Sequence, residues 1–247
     1  MRWFPPAARS FDREARRVFP NMTRSARAKL GQSMGKHLGR TLFELYHDKE
    51  FQAQKHKFRV SGSGLDALKK AQATGKGAII VSGHFGQWEA VRAILRQYGM
   101  ESGAIIRTHK NPHCARRIRA GIEAGGKPIF STGRTGTMGL VRHLRSGGII
   151  SILLDEKSPE GIRLPFLGLD ALTSISAAQL ALKYDLPMIP AYGIRIDDEN
   201  AVQVIFEEPI AHTDSVTMTR AFNDSLSARI LANPDQWYWL LKRWDGA

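Results

Sequence analysis

From Asn21 onward the apolar residues Ala26, Leu30, Met34, Leu38, Leu42 and Leu45 recur about every four positions with lysines and arginines between them, which predicts an amphipathic helix packed against a core. After about Gly62 the pattern changes. Short, nearly unbroken apolar runs alternate with helical stretches: GAIIVS, then residues 87–99, GAIIR, 113–124, KPIF, 136–145, GGIISILL, 174–184, PMIPAYGIRI and AVQVIFE. Continuous apolar strands separated by helices predict a mostly parallel sheet covered on both faces. The expected fold class is α/β, with the region from about Ser215 helical again and NPDQWYWLLKRW forming an aromatic-rich end.

Length changes this picture little. The 247 residues, 43% of them hydrophobic, suffice for one large core, and no repeat or low-complexity linker divides them. One domain is expected over 1–247, made of a basic helical segment at 1–50 and an α/β core at 57–247. A single cysteine, Cys114, leaves no internal disulfide framework and fits a reducing compartment. No apolar run reaches the length of a membrane span, and the start of the chain lacks the apolar block of a signal peptide. The expected contact with a membrane is therefore peripheral.

Charge changes the picture more. The formal net charge is +13 with a pI near 10.2, so a polyanion is the expected partner, whether nucleic acid, anionic lipid or an acidic protein. The excess is concentrated: residues 1–50 hold eleven Lys/Arg against five Asp/Glu, and residues 107–145 hold nine against Glu123 alone.

Most motif candidates fail on context. GSGLDA at 62–67 matches G-x-G-x-x-A, but the chain about 20 residues later reads IIVSGH, without the acidic residue that holds a ribose. GKG at 75–77 lacks the rest of a phosphate loop. His109 and His113 have helical metal-pair spacing, but Pro112 between them disfavours helix at Asn111. No G-x-S-x-G is present for a serine nucleophile. Cys114 reads more simply as an incidental side chain than as a nucleophile.

One stretch carries chemistry. In SGHFGQWEA, His84 follows a strand and Glu89 comes five residues later. On one helix five steps of rotation would leave the two side chains about 140° apart, so a shared helix face does not explain the spacing. With Gly83 turning the chain and His84 in the loop before a helix, Glu89 in the first helical turn reaches back to one ring nitrogen and leaves the other as a base. The helix start also offers N–H groups to a developing oxyanion. On chemistry alone the pair reads equally as a catalytic base with its orienting carboxylate and as a structural histidine beside a surface glutamate.

GHFGQWE resembles the H-x4-E motif of the lysophospholipid acyltransferase superfamily, specifically the bacterial lipid A late acyltransferase (lauroyl/myristoyl acyltransferase) branch. The likeness continues in order through FPNMTRSARAKLGQSMGKHLGRTLFEL, IIRTHKNPHCARRI, LLDEKSPEGIRLPFLG, LPMIPAYGIR and NPDQWYWLLKRW, from about residue 15 to the end. That resemblance implies transfer of an acyl chain from a thioester on acyl carrier protein to a hydroxyl of a lipid A precursor, with His84 as general base and Glu89 orienting it. Because the acceptor hydroxyl is the nucleophile, neither a catalytic serine nor a cofactor or metal is called for.

On the same resemblance Arg107 and Arg134 are candidates for binding acceptor or carrier, Asn111 for shaping that loop, and Asp155 for holding an acceptor sugar or a neighbouring arginine. Phe166 and Gly168 are candidates for the acyl pocket, although Phe166 reads equally as core. The implied setting is the cytoplasmic face of the bacterial inner membrane, with Trp3 and Phe4 as candidate anchors. The implied partners are acyl carrier protein, a glycolipid acceptor and an anionic membrane surface, and no nucleic acid. The branch usually begins with a membrane-spanning helix, and this chain starts just after where that helix would be. Leu241 stands where the branch commonly has histidine, and Ile175 interrupts a Thr-Thr-Gly-type stretch, so the acceptor is open. A lysophospholipid, an ornithine-type lipid or a mannolipid fits the same chemistry. A basic, non-catalytic membrane or nucleic-acid binder is the rival from another class.

Overall fold

The computed structural model describes residues 5–107, 111–196 and 201–244. Trp3, Phe4, His109 and the side chain of Cys114 lie outside the described residues. Three helices come first: α1 (Pro5–Val18), α2 (Arg24–Tyr46) and α3 (Asp48–Ala53). The alternating part follows as β1 (Phe58–Ser61), α4 (Gly64–Ala73), β2 (Ala78–Ser82), α5 (Glu89–Leu95), β3 (Ser102–Ile106), α6 (Pro112–Gly125), β4 (Ile129–Ser131), α7 (Arg134–Arg145) and β5 (Ile149–Leu153). A hairpin of β6 (Ile162–Phe166) and β7 (Leu169–Thr173) precedes α8 (Ser176–Tyr184), β8 (Met188–Arg195), β9 (Val202–Phe206) and α9 (Ser215–Ala232), and two 3₁₀ turns, Pro234–Gln236 and Trp239–Leu241, follow.

Seven strands form one sheet in the order β1-β9-β8-β2-β5-β3-β4, with β6 and β7 as a separate two-stranded sheet. Pairing is parallel except between β8 and β9. The central strand β2 is buried along its whole length, the signature of a parallel strand covered on both faces. Ile79, Val81 and Ile150 face a core built with α8, α9 and the C-terminal tryptophans. Ala78 and Ile80 face the opposite core, against α4 and α5. Each fully buried Ile or Val of this strand contributes about 1.5–3 kcal/mol of burial.

Local sequence sets the boundaries. Thr23 caps α2 by accepting from the Ala26 amide at 3.2 Å, and Asp214 caps α9 through the amides of Val216 and Thr217 at 2.9 and 3.0 Å. Asn233, which cannot easily continue a helix before Pro234, ends α9. The stripe expected on α2 is only partly buried: Arg27, Gly31, Met34 and Thr41 face inward, whereas Leu42 is exposed. No helix among the described residues is long and apolar enough to cross a membrane.

The β6–β7 hairpin was not expected from the sequence. Its two-residue loop, Leu167-Gly168, holds φ of +51° and +79°, the left-handed pair of a tight hairpin turn. Gly168 is a turn residue and is not among the residues that line the cavity beside His84.

Candidate active site

β2 ends at Ser82, and the next residues form a bridge into α5. Gly83 sits there because space is scarce: an added Cβ would lie 2.7 Å from Leu226 Cδ2 and 3.1 Å from the Asp155 carboxylate. The turn expected at Gly83 is made instead at Gly86, whose φ is +60°. The C-terminal segment clamps this junction from outside, with the Tyr238 amide donating to the His84 carbonyl at 2.9 Å and the Gly86 amide to the Gln236 carbonyl at 2.8 Å.

His84 is held by Asp155. The carboxylate Oδ1 lies 2.8 Å from His84 Nδ1, and Oδ2 accepts from the His84 amide at 2.7 Å and from Trp237 Nε1 at 2.8 Å. The reason is sheet register. β2 and β5 are parallel with Ser82 opposite Leu153, so continuing both chains by two residues sets His84 beside Asp155.

The carboxylate is fully buried while the histidine side chain keeps 19% exposure. Burial opposes ionisation of Asp155, but the His84 charge and the donated hydrogen bonds outweigh it and hold its pKa below the usual carboxylate value. For His84, burial opposes the charged ring, yet Asp155, aided by Glu156 and Glu89, raises the pKa above its ordinary value. An ionised carboxylate only accepts, so the proton sits on Nδ1 and Nε2 is left as a base.

Glu89 does not hold the ring as expected. It begins α5, and its Oε2 accepts from Arg92 Nη1 at 2.7 Å. Arg92 is itself buried and donates to the carbonyls of Ser102, Ile122 and Gly126. Glu89 thus reaches forward one turn to a buried cation, and it acts on His84 only through its charge. The role expected of Glu89 belongs to Asp155, and the role expected of Asp155, binding an acceptor sugar or an arginine, does not match its burial beneath His84.

Beside His84 opens a cavity of about 720 Å³ lined largely by apolar residues, within the range of ligand sites. Its floor is the sheet face carrying Ile80, Ser82, Ser151 and Leu153; its walls are Leu38, Leu42 and Leu45 of α2, Trp88 and Val91, and Ile118 and Ile122 of α6. A buried polar network fixes α2 over the junction. Arg195 of β8 donates to Glu44 at 2.6 Å and to Thr41 Oγ1 at 2.8 Å, and Thr41 donates to the Gly86 carbonyl at 3.1 Å.

The other expected residues disperse. Arg107 lies at the cavity mouth, exposed and paired with Glu156 at 3.1 Å. Asn111 accepts from the His113 amide at 3.0 Å and so caps the start of α6. Arg134 opens α7 on the exposed surface and is not among the residues lining this cavity. Phe166 is core, 5.5 Å from the Trp237 ring and 6.0 Å from Trp244, on the sheet face away from the cavity. Its apolar character suited either place, and the hairpin carries it behind Asp155.

Two residues escaped the sequence reading. Trp237, buried in the aromatic-rich end, supplies the third donor to Asp155. Arg92, three residues after Glu89, was a legible helical ion-pair partner. Leu241, in the same C-terminal segment, lines the cavity.

A mostly parallel α/β sheet thus carries a carboxylate-held histidine at its strand ends, opening on an apolar cavity, and a neutral histidine held in this tautomer can take up a proton at Nε2. The model of the bacterial lipid A biosynthesis acyltransferase family matches residues 9–245, and the chain belongs to that family. It is 25% identical over 241 residues to a lipid A biosynthesis acyltransferase of Haemophilus influenzae, covering 91% of this chain and 71% of the relative. It is 24% identical over 197 residues to a phosphatidylinositol mannoside acyltransferase of Mycobacterium tuberculosis, covering 75% of this chain. The chain spans 60% of the length of that mycobacterial relative.

Proposed function

We propose that this protein transfers a fatty acyl chain from a thioester, carried by acyl carrier protein, to a hydroxyl of a lipid acceptor, with a lipid A precursor as the leading acceptor. The observation that carries this reading is His84 at the edge of an apolar cavity, one ring nitrogen fixed by Asp155 and Nε2 without a hydrogen-bond partner among the described residues. His84 removes the proton of the acceptor hydroxyl, Asp155 sets the tautomer and stabilises the imidazolium, and the cavity holds the acyl chain. Family membership supports acyl transfer.

The basic surface supports the choice of anionic partners. Arg116 and Arg119 of α6 and Arg107 line the cavity, placing cations where an acceptor phosphate or an acidic carrier approaches. The protein acts at the cytoplasmic face of the inner membrane, which it meets peripherally.

A second reading keeps the chemistry and changes the acceptor to a mannolipid, favoured by the relatives named phosphatidylinositol mannoside acyltransferases. The test is to incubate the purified protein with acyl carrier protein thioesters and either acceptor, and follow the added chain by mass spectrometry. Wild-type protein is expected to acylate one of them, and His84→Ala to lose about 10²–10⁴-fold in rate. A His84→Ala protein as fast as wild type sinks the mechanism.

A further inference from the structure

The floor of the cavity beside His84 includes a serine whose buried hydroxyl the protein itself leaves unused. Ser82 closes β2, only 3% exposed, and its Oγ has no hydrogen-bond partner among the described residues. Strand alternation puts Ile80 and Ser82 on one side of β2, and both line the cavity together with His84.

Two neighbouring donors are committed elsewhere. Ser151 Oγ pairs with Ser102 Oγ at 2.8 Å, and the Arg92 guanidinium is spent on Glu89 and three carbonyls. Six amides of the backbone junction are also occupied. The amide of His84 donates to Asp155, Phe85 to the Gly83 carbonyl, Gly86 to Gln236, Gln87 to Gly193, Glu89 to Gln87 Oε1 and Ala90 to the Gln87 carbonyl. The helix start that the sequence offered as an oxyanion site therefore has those donors already taken.

Acyl transfer needs a donor aimed at the oxygen on which charge develops. We propose that the Ser82 hydroxyl is that donor, a catalytic residue for the reaction read above; the inference rests on that reading. The acceptor oxygen bonds to the thioester carbonyl carbon while its proton passes to His84 Nε2, and the carbonyl electron pair moves onto oxygen, which accepts a hydrogen bond donated by Ser82 Oγ–H. The pair then returns, the C–S bond breaks, and the leaving thiolate takes the proton from His84 Nε2, giving an ester and a free thiol. A serine at this place is otherwise unfavourable, since a buried hydroxyl without a partner costs stability that alanine would not.

That last point supplies the test. Ser82→Ala, Ser82→Thr and His84→Ala are assayed for kcat and KM with the same thioester and lipid acceptor, and each is melted. The expected result for Ser82→Ala is a kcat lower by about 10²–10³-fold, an unchanged KM and a melting temperature equal to or above wild type. Ser82→Thr, which keeps the hydroxyl, retains at least about tenfold more activity than the alanine variant. If Ser82→Ala keeps wild-type kcat while His84→Ala is inactive, the Ser82 inference alone is overturned. A loss of kcat accompanied by a lower melting temperature, or threonine as poor as alanine, also overturns it. If His84→Ala is fully active, the acyl-transfer reading fails and the role of Ser82 with it.

Discussion

Replacing Asp155 by asparagine tests the site at its most constrained atom. In the native arrangement Oδ2 accepts from the His84 amide and Trp237 Nε1 at 2.7 and 2.8 Å, and Oδ1 accepts from His84 Nδ1 at 2.8 Å. Asparagine offers one oxygen and one NH₂. Two fixed donors converge on the Oδ2 position, so the amide oxygen belongs there and the NH₂ falls opposite Nδ1. That NH₂ donates, which forces Nδ1 to accept and moves the ring proton to Nε2. The base is then blocked by its own proton, and the imidazolium loses its counter-charge. Loss of general-base assistance is worth about 10²–10⁴-fold, or about 3–5 kcal/mol of activation free energy. The assay is acyl transfer under single-turnover conditions, with the His84 tautomer read from imidazole ¹⁵N shifts. Asp155→Asn turning over within about threefold of wild type, or keeping its proton on Nδ1, refutes the reasoning.

Glu89→Gln is expected to leave the His84 tautomer intact but to weaken the hydrogen bond to the buried Arg92 guanidinium, lowering stability by about 1.5–3 kcal/mol; denaturant melts and the ¹⁵N shifts check both halves. Gly83→Ala pushes a methyl toward Leu226 and Asp155, so overpacking of about 1–3 kcal/mol should accompany a sharp loss of turnover, and an active variant of unchanged stability counts against the tight approach drawn here. Because the His84 pKa is raised above 6.5, the acid limb of kcat/KM should have its midpoint above that value, and a midpoint at or below it would contradict the Asp155 contact. For stability the signs run oppositely. The contribution of His84 is full below about 6.5 and lost as pH rises through its elevated folded value; that of Asp155, lowered from 3.8, is present above that value and lost as pH falls through its depressed one. Melting temperatures of wild type minus Asp155→Asn should therefore differ most between about pH 4 and 6.5.

Sequence alone determined the class of fold. GAIIVS and GGIISILL are too continuously apolar for anything but strands covered on both faces, and β2 and β5 are indeed neighbours in the centre of the sheet. It also placed His84 at the edge of the sheet, because a histidine two residues after a buried strand must emerge there. Local patterning carried the helices α6, α7, α8 and α9 to within a few residues. What it did not contain was the partner of the histidine. Glu89 was close in the chain and Asp155 was 71 residues away, and only the parallel register of β2 on β5 brings the second one under the ring. The same holds for Trp237, which reaches Asp155 because the C-terminal segment folds back over the junction, and for Phe166, which the hairpin carries to the opposite face. Ser82 belongs to both levels: the chain placed it two residues before His84, and the fold leaves its hydroxyl without a partner among the described residues.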